Sequence, residues 1–426
     1  MKTDIFTKFF SKENKTVLNS FVSLGLIQLT NLILPLVTIP YLVKVVGFEK
    51  YGIIAIAQSL SNYLVIISEY GFNLSATREI SIHRRNKKKV SKILSSVLAT
   101  KGILCLLSFF ILVSVVAIVP QFRQEQEVFY FMFGSIVGQC LMPIWFFQGV
   151  ENMKYLTYSN LISKILFTLL IFVVINSPED YIYVTLFQSL GNLLAGGVAL
   201  LVVVLYFKVR FTIPSVKAIG KQLRDGWYIF ISNFSIISYN NSNLFILGLF
   251  ADPVIVGYYS IPEKITFAVR QVNGAFSNAI YPKICFLATQ SHQEVKHFFK
   301  GVFLPFAFFI FLVCAGLFAF SDEIIYLISN EYIAEASFFL KVLSFVPFIV
   351  LLGNPPYQIL LAYNEKQGYM RILFLTAVVN LILNFVLVQH YSALGTSFAL
   401  ILTEVFVTLG FLLTLERFYP KYSLVK

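Results

Sequence analysis

The chain has 426 residues, of which 58% are hydrophobic, 16% aromatic and 13% charged, with 45 phenylalanines. Soluble domains carry about 25% charge and about 45–50% apolar residues, so the composition excludes a disordered chain, a secreted disulfide scaffold and most cytosolic enzymes and fits a polytopic membrane protein. The net charge of +12 would point to nucleic acid in a soluble protein; here the basic residues sit in short loops between apolar runs, so no nucleic-acid partner is expected.

A membrane-crossing helix takes about 20 mostly apolar residues. Twelve segments meet that pattern: 17–43, 51–73, 93–119, 128–149, 156–175, 181–207, 226–250, 254–280, 301–320, 338–362, 372–388 and 394–415. The first follows Lys2, Lys8, Lys12 and Lys15 and is longer than the 7–15 apolar residues, roughly, of a cleaved signal, so it is expected to stay as a span. The loops are short and no soluble domain is inserted. Six segments precede the loop at 208–225 and six follow it, which sets the expected domains at 1–210 and 211–426.

Alternate loops differ in charge. The N-terminus, every second loop and the C-terminus hold 25 Lys and Arg, the other loops hold Lys44, Lys50 and Arg123, and five basic residues lie inside spans. Positive charge stays on the cytoplasmic side, so both termini are expected there. The run from His83 to Lys89 reads as a topology determinant in contact with anionic lipid. The loop at 321–337 has no Lys or Arg but carries Asp322, Glu323, Glu331 and Glu335, and faces outward.

The two halves share a faint pattern. Tyr51-Gly52 opens the second span and Gly257-Tyr258 the eighth, with Gln58 and Glu263 each six residues beyond the glycine. An even number of spans per half inserts both the same way up, giving a parallel repeat about the membrane normal with the substrate path between the halves.

Polar side chains inside spans normally face protein or a wet cavity, and positions i, i+3, i+4 and i+7 of a helix share a face. Gln28, Asn31 and Thr38 align on the first span. Gln58, Asn62, Glu69 and Asn73 align on the second, and Asn233, Asn240 and Asn243 on the seventh. The eighth carries the longest stripe: Glu263, Thr266, Arg270, Asn273 and Ser277. Glu263 and Arg270 lie two turns apart, so a direct contact needs either a water or a bend, which Pro262 could supply. Lys341, near an outer end, snorkels. Glu404, near mid-span, is open to three readings: a proton site, a cation site or the partner of Lys164. Prolines recur within spans (Pro35, Pro40, Pro143, Pro262, Pro305, Pro347, Pro355, Pro356) and bend or break them.

No Walker A sequence, Asp-x-Asp pair or metal-spaced His/Cys/Glu cluster occurs, so neither cofactor nor metal is expected. Cys105, Cys140, Cys285 and Cys314 lie in or beside apolar runs and read as buried reduced thiols. A transporter without its own fuel reaction is left.

Three stretches resemble one family. Asn31-Leu32-Ile33-Leu34-Pro35-Leu36-Val37-Thr38-Ile39-Pro40-Tyr41-Leu42, continuing through Gly47-Phe48-Glu49-Lys50-Tyr51-Gly52, looks like the first-span signature of bacterial polysaccharide flippases. Glu69-Tyr70-Gly71-Phe72-Asn73-Leu74-Ser75-Ala76-Thr77-Arg78-Glu79-Ile80 and Trp145-Phe146-Phe147-Gln148-Gly149-Val150-Glu151 resemble that family's motifs at the ends of spans two and four. The family is the O-antigen (Wzx-type) flippases of the multidrug/oligosaccharidyl-lipid/polysaccharide export superfamily, and the match is specific over roughly residues 20–155. The resemblance implies an all-α, MATE-like protein of twelve transmembrane helices in two six-helix bundles arranged as a V, with spans 1, 2, 7 and 8 lining a cavity. It also implies movement of an undecaprenyl-diphosphate-linked oligosaccharide to the outer leaflet of the bacterial inner membrane, without catalysis, alongside an O-antigen polymerase and a chain-length regulator.

A polar sugar crosses about 30 Å of hydrocarbon only inside amide and hydroxyl linings, for which Asn31, Asn62, Asn73, Asn240 and Asn273 are candidates. The anionic diphosphate calls for cations: Arg270 and Lys264 first, Arg78 at the inner mouth, then Lys101 and Lys164. Glu69, Glu263 and Glu404 are candidates for a coupling ion or proton. The nearest rival is a drug/cation antiporter of the same superfamily, which wants acidic cavity residues and little Arg. A major-facilitator carrier would want a Gly/Asp/Arg-rich loop after span two and a longer central loop. A membrane glycosyltransferase or polymerase is disfavoured by the absent acidic motif and the small outer loops.

Overall fold

A computed structural model describes residues 12–363 and 365–418, and the ordered elements among them are helices. The long ones are α1 (Lys12–Glu69), α2 (Phe72–His83), α3 (Lys87–Ile118), α4 (Gln126–Leu141), α5 (Lys154–Val174), α6 (Tyr181–Leu205), α7 (Val216–Phe250), α8 (Pro253–Ala288), α9 (Leu304–Ala319), α10 (Ala334–Leu343) and α11 (Lys366–Phe418). Eight stretches are long and apolar enough to cross a membrane: Gly25–His83, Lys87–Ile118, Gln126–Gly149, Lys154–Val174, Pro178–Leu205, His292–Ala319, Ala334–Ala362 and Gln367–Phe418. The chain is an all-helical polytopic membrane protein.

The expected segments meet these helices with changes that local chemistry explains. Segments 17–43 and 51–73 run together in α1, which is broken at Gly47, where φ is +77°. Segments 372–388 and 394–415 run together in α11 across a break at Ser392. Segment 128–149 is interrupted at Met142 and Pro143 before a short helix, Ile144–Gly149. Segment 338–362 becomes three short helices, α10, Val346–Leu352 and Asn354–Ala362. Pro347 starts the second and Pro355-Pro356 lie in the first turn of the third, where a missing N–H costs nothing. Helices α7 and α8 stand outside the eight apolar stretches, and α8 carries Glu263, Lys264 and Arg270 within its length.

Two compact units divide the chain: residues 1–47 with 57–234, and residues 48–56 with 235–426. In the first, Phe72, Ala76, Ile80, Leu94, Trp145 and Ala199 belong to one buried core. Gly138 of α4 and Gly196 of α6 let those helices touch: a Cβ at Gly196 would lie 2.3 Å from the Gly138 carbonyl oxygen. Small residues permit such backbone approach where no water drives association. In the second unit, Ile284, Ile310, Cys314, Leu351, Leu360 and Leu415 form the corresponding core.

The two Gly–Tyr signals of the faint repeat meet inside this second unit. A Cβ on Gly52 would fall 1.9 Å from the Pro253 carbonyl oxygen, and one on Gly257 would fall 2.3 Å from that of Phe48. The Phe48 and Tyr258 rings pack beside this crossing at 4.8 Å. Both glycines are thus needed for one helix crossing. Cys105, Cys140 and Cys314 are buried and Cys285 is partly exposed.

Candidate functional site

Two of the three motif stretches that carry the family resemblance, 69–80 and 145–151, pack on one another in the first unit. Tyr70 and Gly71 take positive φ and turn the chain from α1 into α2. The Tyr70 ring stacks on Phe230 at 4.6 Å. One turn into α2, the Thr77 hydroxyl reaches the Trp145 carbonyl and Gln148 Oε1, both at 3.2 Å. Ser81 donates to the Gly149 carbonyl, and Arg84 pairs with Glu151 at 2.8 Å. Trp145, Phe146 and Phe147 are buried beneath this junction. The first motif docks elsewhere: the Tyr41 hydroxyl caps the end of α5 at the carbonyls of Phe172 and Ile175.

Each unit holds a buried ion pair between distant helices. In the first, Lys101 of α3 is 0% exposed and donates to Glu69 Oε1 at 2.7 Å and to the Gln139 carbonyl at 3.2 Å. The other Glu69 oxygen, Oε2, has no hydrogen-bond partner. In the second, Arg270 of α8 meets Glu404 of α11 at 2.8 Å, with Glu404 1% exposed. The expected approach of Glu263 to Arg270 is therefore replaced by a cross-helix pair. Seven residues of helix span about 10 Å, whereas α11 brings a carboxylate directly alongside. That pairing also assigns Glu404 to Arg270 and not to Lys164.

Of the remaining cations, Lys264 and Lys164 donate to neutral groups and Lys341 to a carboxylate. Lys264 donates to the Tyr51 hydroxyl at 2.7 Å and sits 4.8 Å from that ring's centroid. Glu263 precedes it in sequence on α8. Lys164 of α5 donates to the Asn31 side-chain oxygen. Lys341 reaches Asp322 at 2.9 Å beyond the end of its span. That hydrogen bond holds the Asp322 carboxyl below its ordinary range.

Among the amide candidates, Asn31 and Asn62 are exposed. Asn73 is half-buried, with a side-chain oxygen that has no partner. Asn273 is buried and donates to the Pro347 carbonyl at 2.8 Å, which gives it a packing role at the interrupted span. The Asn240 side chain lies outside the described residues. Arg78 is exposed on α2. Among the described residues no group of three His, Cys, Asp or Glu could hold a metal ion.

One buried cluster was not assembled from the sequence. Ser242 donates to Asn380 at 2.5 Å, Asn380 to Thr403 at 3.1 Å, and Asn384 to Asn243 at 2.6 Å. The i, i+4 spacing of Asn380 and Asn384 was its visible signal. It ties α7 to α11 one residue before Glu404.

A polytopic helical fold with charged pairs and amides buried across its spans defines a membrane carrier. Residues 17–286 match the family model described as "Polysaccharide biosynthesis protein", and the chain belongs to that family, a family of transporters and flippases and not of enzymes. It is 31% identical over 397 residues, 91% of this chain and 94% of the relative, to a candidate O-antigen transporter of Escherichia coli (strain K12). Its fold is similar to that of the lipid II flippase MurJ in an inward closed conformation, with a TM-score of 0.74 and 15% identity over 94% of this chain and 89% of that one. It is also similar to an inward-facing multidrug resistance MATE family transporter of the MOP superfamily, with a TM-score of 0.68 and 13% identity over 96% of this chain and 100% of that one.

Proposed function

We propose that the chain is a flippase that moves an undecaprenyl-diphosphate-linked O-antigen repeat unit from the cytoplasmic to the periplasmic leaflet of the bacterial inner membrane, with both termini cytoplasmic. The observation that supports this most is the set of four cations within helices, Lys101, Lys164, Lys264 and Arg270, each on a polar partner. A cation at mid-span costs about 2.5–3.5 kcal/mol on insertion scales, and such a cost is retained for anion handling. Near-full-length similarity to a candidate O-antigen transporter gives the same direction.

The architecture is read as twelve spans in two six-helix bundles. The eight apolar stretches become twelve when the first and last are divided at Gly47 and Ser392 and the polar helices α7 and α8 are added. Arg270, Lys264, Arg78, Lys101 and Lys164 serve the phosphates, and Asn31, Asn62, Asn73 and Asn240 serve the sugar. Glu69 and Glu404 already occupy Lys101 and Arg270, so an anion gains those cations only when the carboxylates yield them. That competition gives Glu69, Glu404 and the neighbouring Glu263 a coupling role.

Complementation tests the reading. A flippase-deficient strain expressing this chain should regain surface polysaccharide, and Arg270→Ala should abolish export while the protein still inserts. Wild-type export by Arg270→Ala would remove Arg270 from the anion site. Failure to complement strains of every defined repeat unit would refute the flippase assignment.

A further inference from the structure

Five basic side chains lie within spans, and three are paired with a carboxylate. Lys101 has Glu69, Arg270 has Glu404 and Lys341 has Asp322, while Lys264 follows Glu263 in sequence and donates to the Tyr51 hydroxyl. Lys164 differs. It is the eleventh of the 21 residues of α5, about 15 Å of helix from either end, and so at the depth where a charge is most costly. Its ammonium donates to the Asn31 side-chain oxygen, and among the described residues no carboxylate forms an ion pair with it.

Its surroundings have spare polar capacity. Pro35 has no N–H for the Asn31 carbonyl, which loses its helical donor. Asn31 is exposed and Lys164 only half-buried, so the pair can be reached from outside the unit. One turn before Lys164, on the same face of α5, Asn160 is 5% exposed and its side-chain oxygen has no partner. Thr157 and Ser163 are buried beside it. A span whose only task was packing would gain by an apolar residue at position 164.

We propose that Lys164, with Asn31, is the subsite that holds the phosphate oxyanion of a lipid-linked substrate. This rests on the flippase reading and narrows it, from five candidate cations to the one at the middle of a span that forms no ion pair among the described residues and donates to a neutral amide. A phosphate oxygen displaces the Asn31 amide oxygen because it adds the Coulomb attraction of a full negative charge, which the neutral amide lacks.

The test uses the purified full chain, with retention of three lipids compared by native mass spectrometry: undecaprenyl diphosphate, undecaprenol and cardiolipin. Wild type should prefer undecaprenyl diphosphate to undecaprenol. Lys164→Met, whose side chain suits a span, should lose about ten- to hundred-fold of that affinity and leave undecaprenol unchanged. Lys164→Arg should keep the preference, and its loss there would overturn the proposal even if Lys164→Met fails to fold. Undiminished diphosphate binding by Lys164→Met overturns the subsite and leaves the flippase reading intact. Equal Lys164-dependent retention of cardiolipin makes this a phospholipid site and also overturns it. No preference for undecaprenyl diphosphate by wild type defeats both.

Discussion

Replacing Lys101 by Met removes the ammonium from a pair in which Lys101 is 0% and Glu69 16% exposed. Glu69 Oε2 has no partner already, and the substitution strands Oε1 as well, leaving a carboxylate in a low-dielectric site. Breaking one side of a buried pair costs about 3–5 kcal/mol, a large part of a typical total stability of about 5–15 kcal/mol. The lysine also bridges three helices, through Glu69 of α1 and the Gln139 carbonyl of α4. Lys101→Met and Glu69→Leu should each be strongly destabilised. The double variant should recover most of the loss, because an apolar pair of similar volume is often neutral. Unfolding of all four proteins in one detergent, taken as a double-mutant cycle, should give a coupling energy of about 2 kcal/mol or more. Single variants within about 0.5 kcal/mol of wild type, or a double variant as unstable as the two losses added, would refute the claim that this pair is a mutually dependent unit.

Charge reversal at the second pair follows the same logic: Arg270→Glu should abolish export, and adding Glu404→Arg should restore part of it, as surface polysaccharide will show. Gly257→Ala should cost about 1–3 kcal/mol through overpacking against the Phe48 carbonyl, while Gly197→Ala, whose Cβ would meet nothing within 4 Å, should leave the melting temperature unchanged. Inside-negative voltage favours outward movement of an anion by about 2.3 kcal/mol per charge per 100 mV. Collapsing the potential in vesicles should therefore slow export, and unchanged rates would show that the diphosphate charge is compensated.

Much of this was legible along the chain because it depends on short-range chemistry. Apolar length sets spans, Pro and Gly set breaks, and a stripe such as Thr266, Asn273 and Ser277 is fixed by helical period alone. The structure buries all three on α8. The motif stretches at 69–80 and 145–151 pack together as structural joints, through Thr77, Trp145 and Gln148. Partner choice between helices was not legible. Glu404 answers Arg270, and Asn243 answers Asn384, across more than a hundred residues that no periodicity links. Gly52 and Gly257 show the same limit in reverse: they were visible as a repeated signal, while the crossing that needs both depends on how the chain folds back.

The most direct measurement reconstitutes the full chain into vesicles carrying an undecaprenyl-diphosphate-linked repeat unit on one leaflet and follows its exposure on the other with a membrane-impermeant glycan-modifying enzyme. Wild-type protein should transfer the lipid-linked glycan far faster than protein-free vesicles, and Lys164→Met and Arg270→Ala should fall to the background rate. Transfer by wild type no faster than in protein-free vesicles would contradict the account.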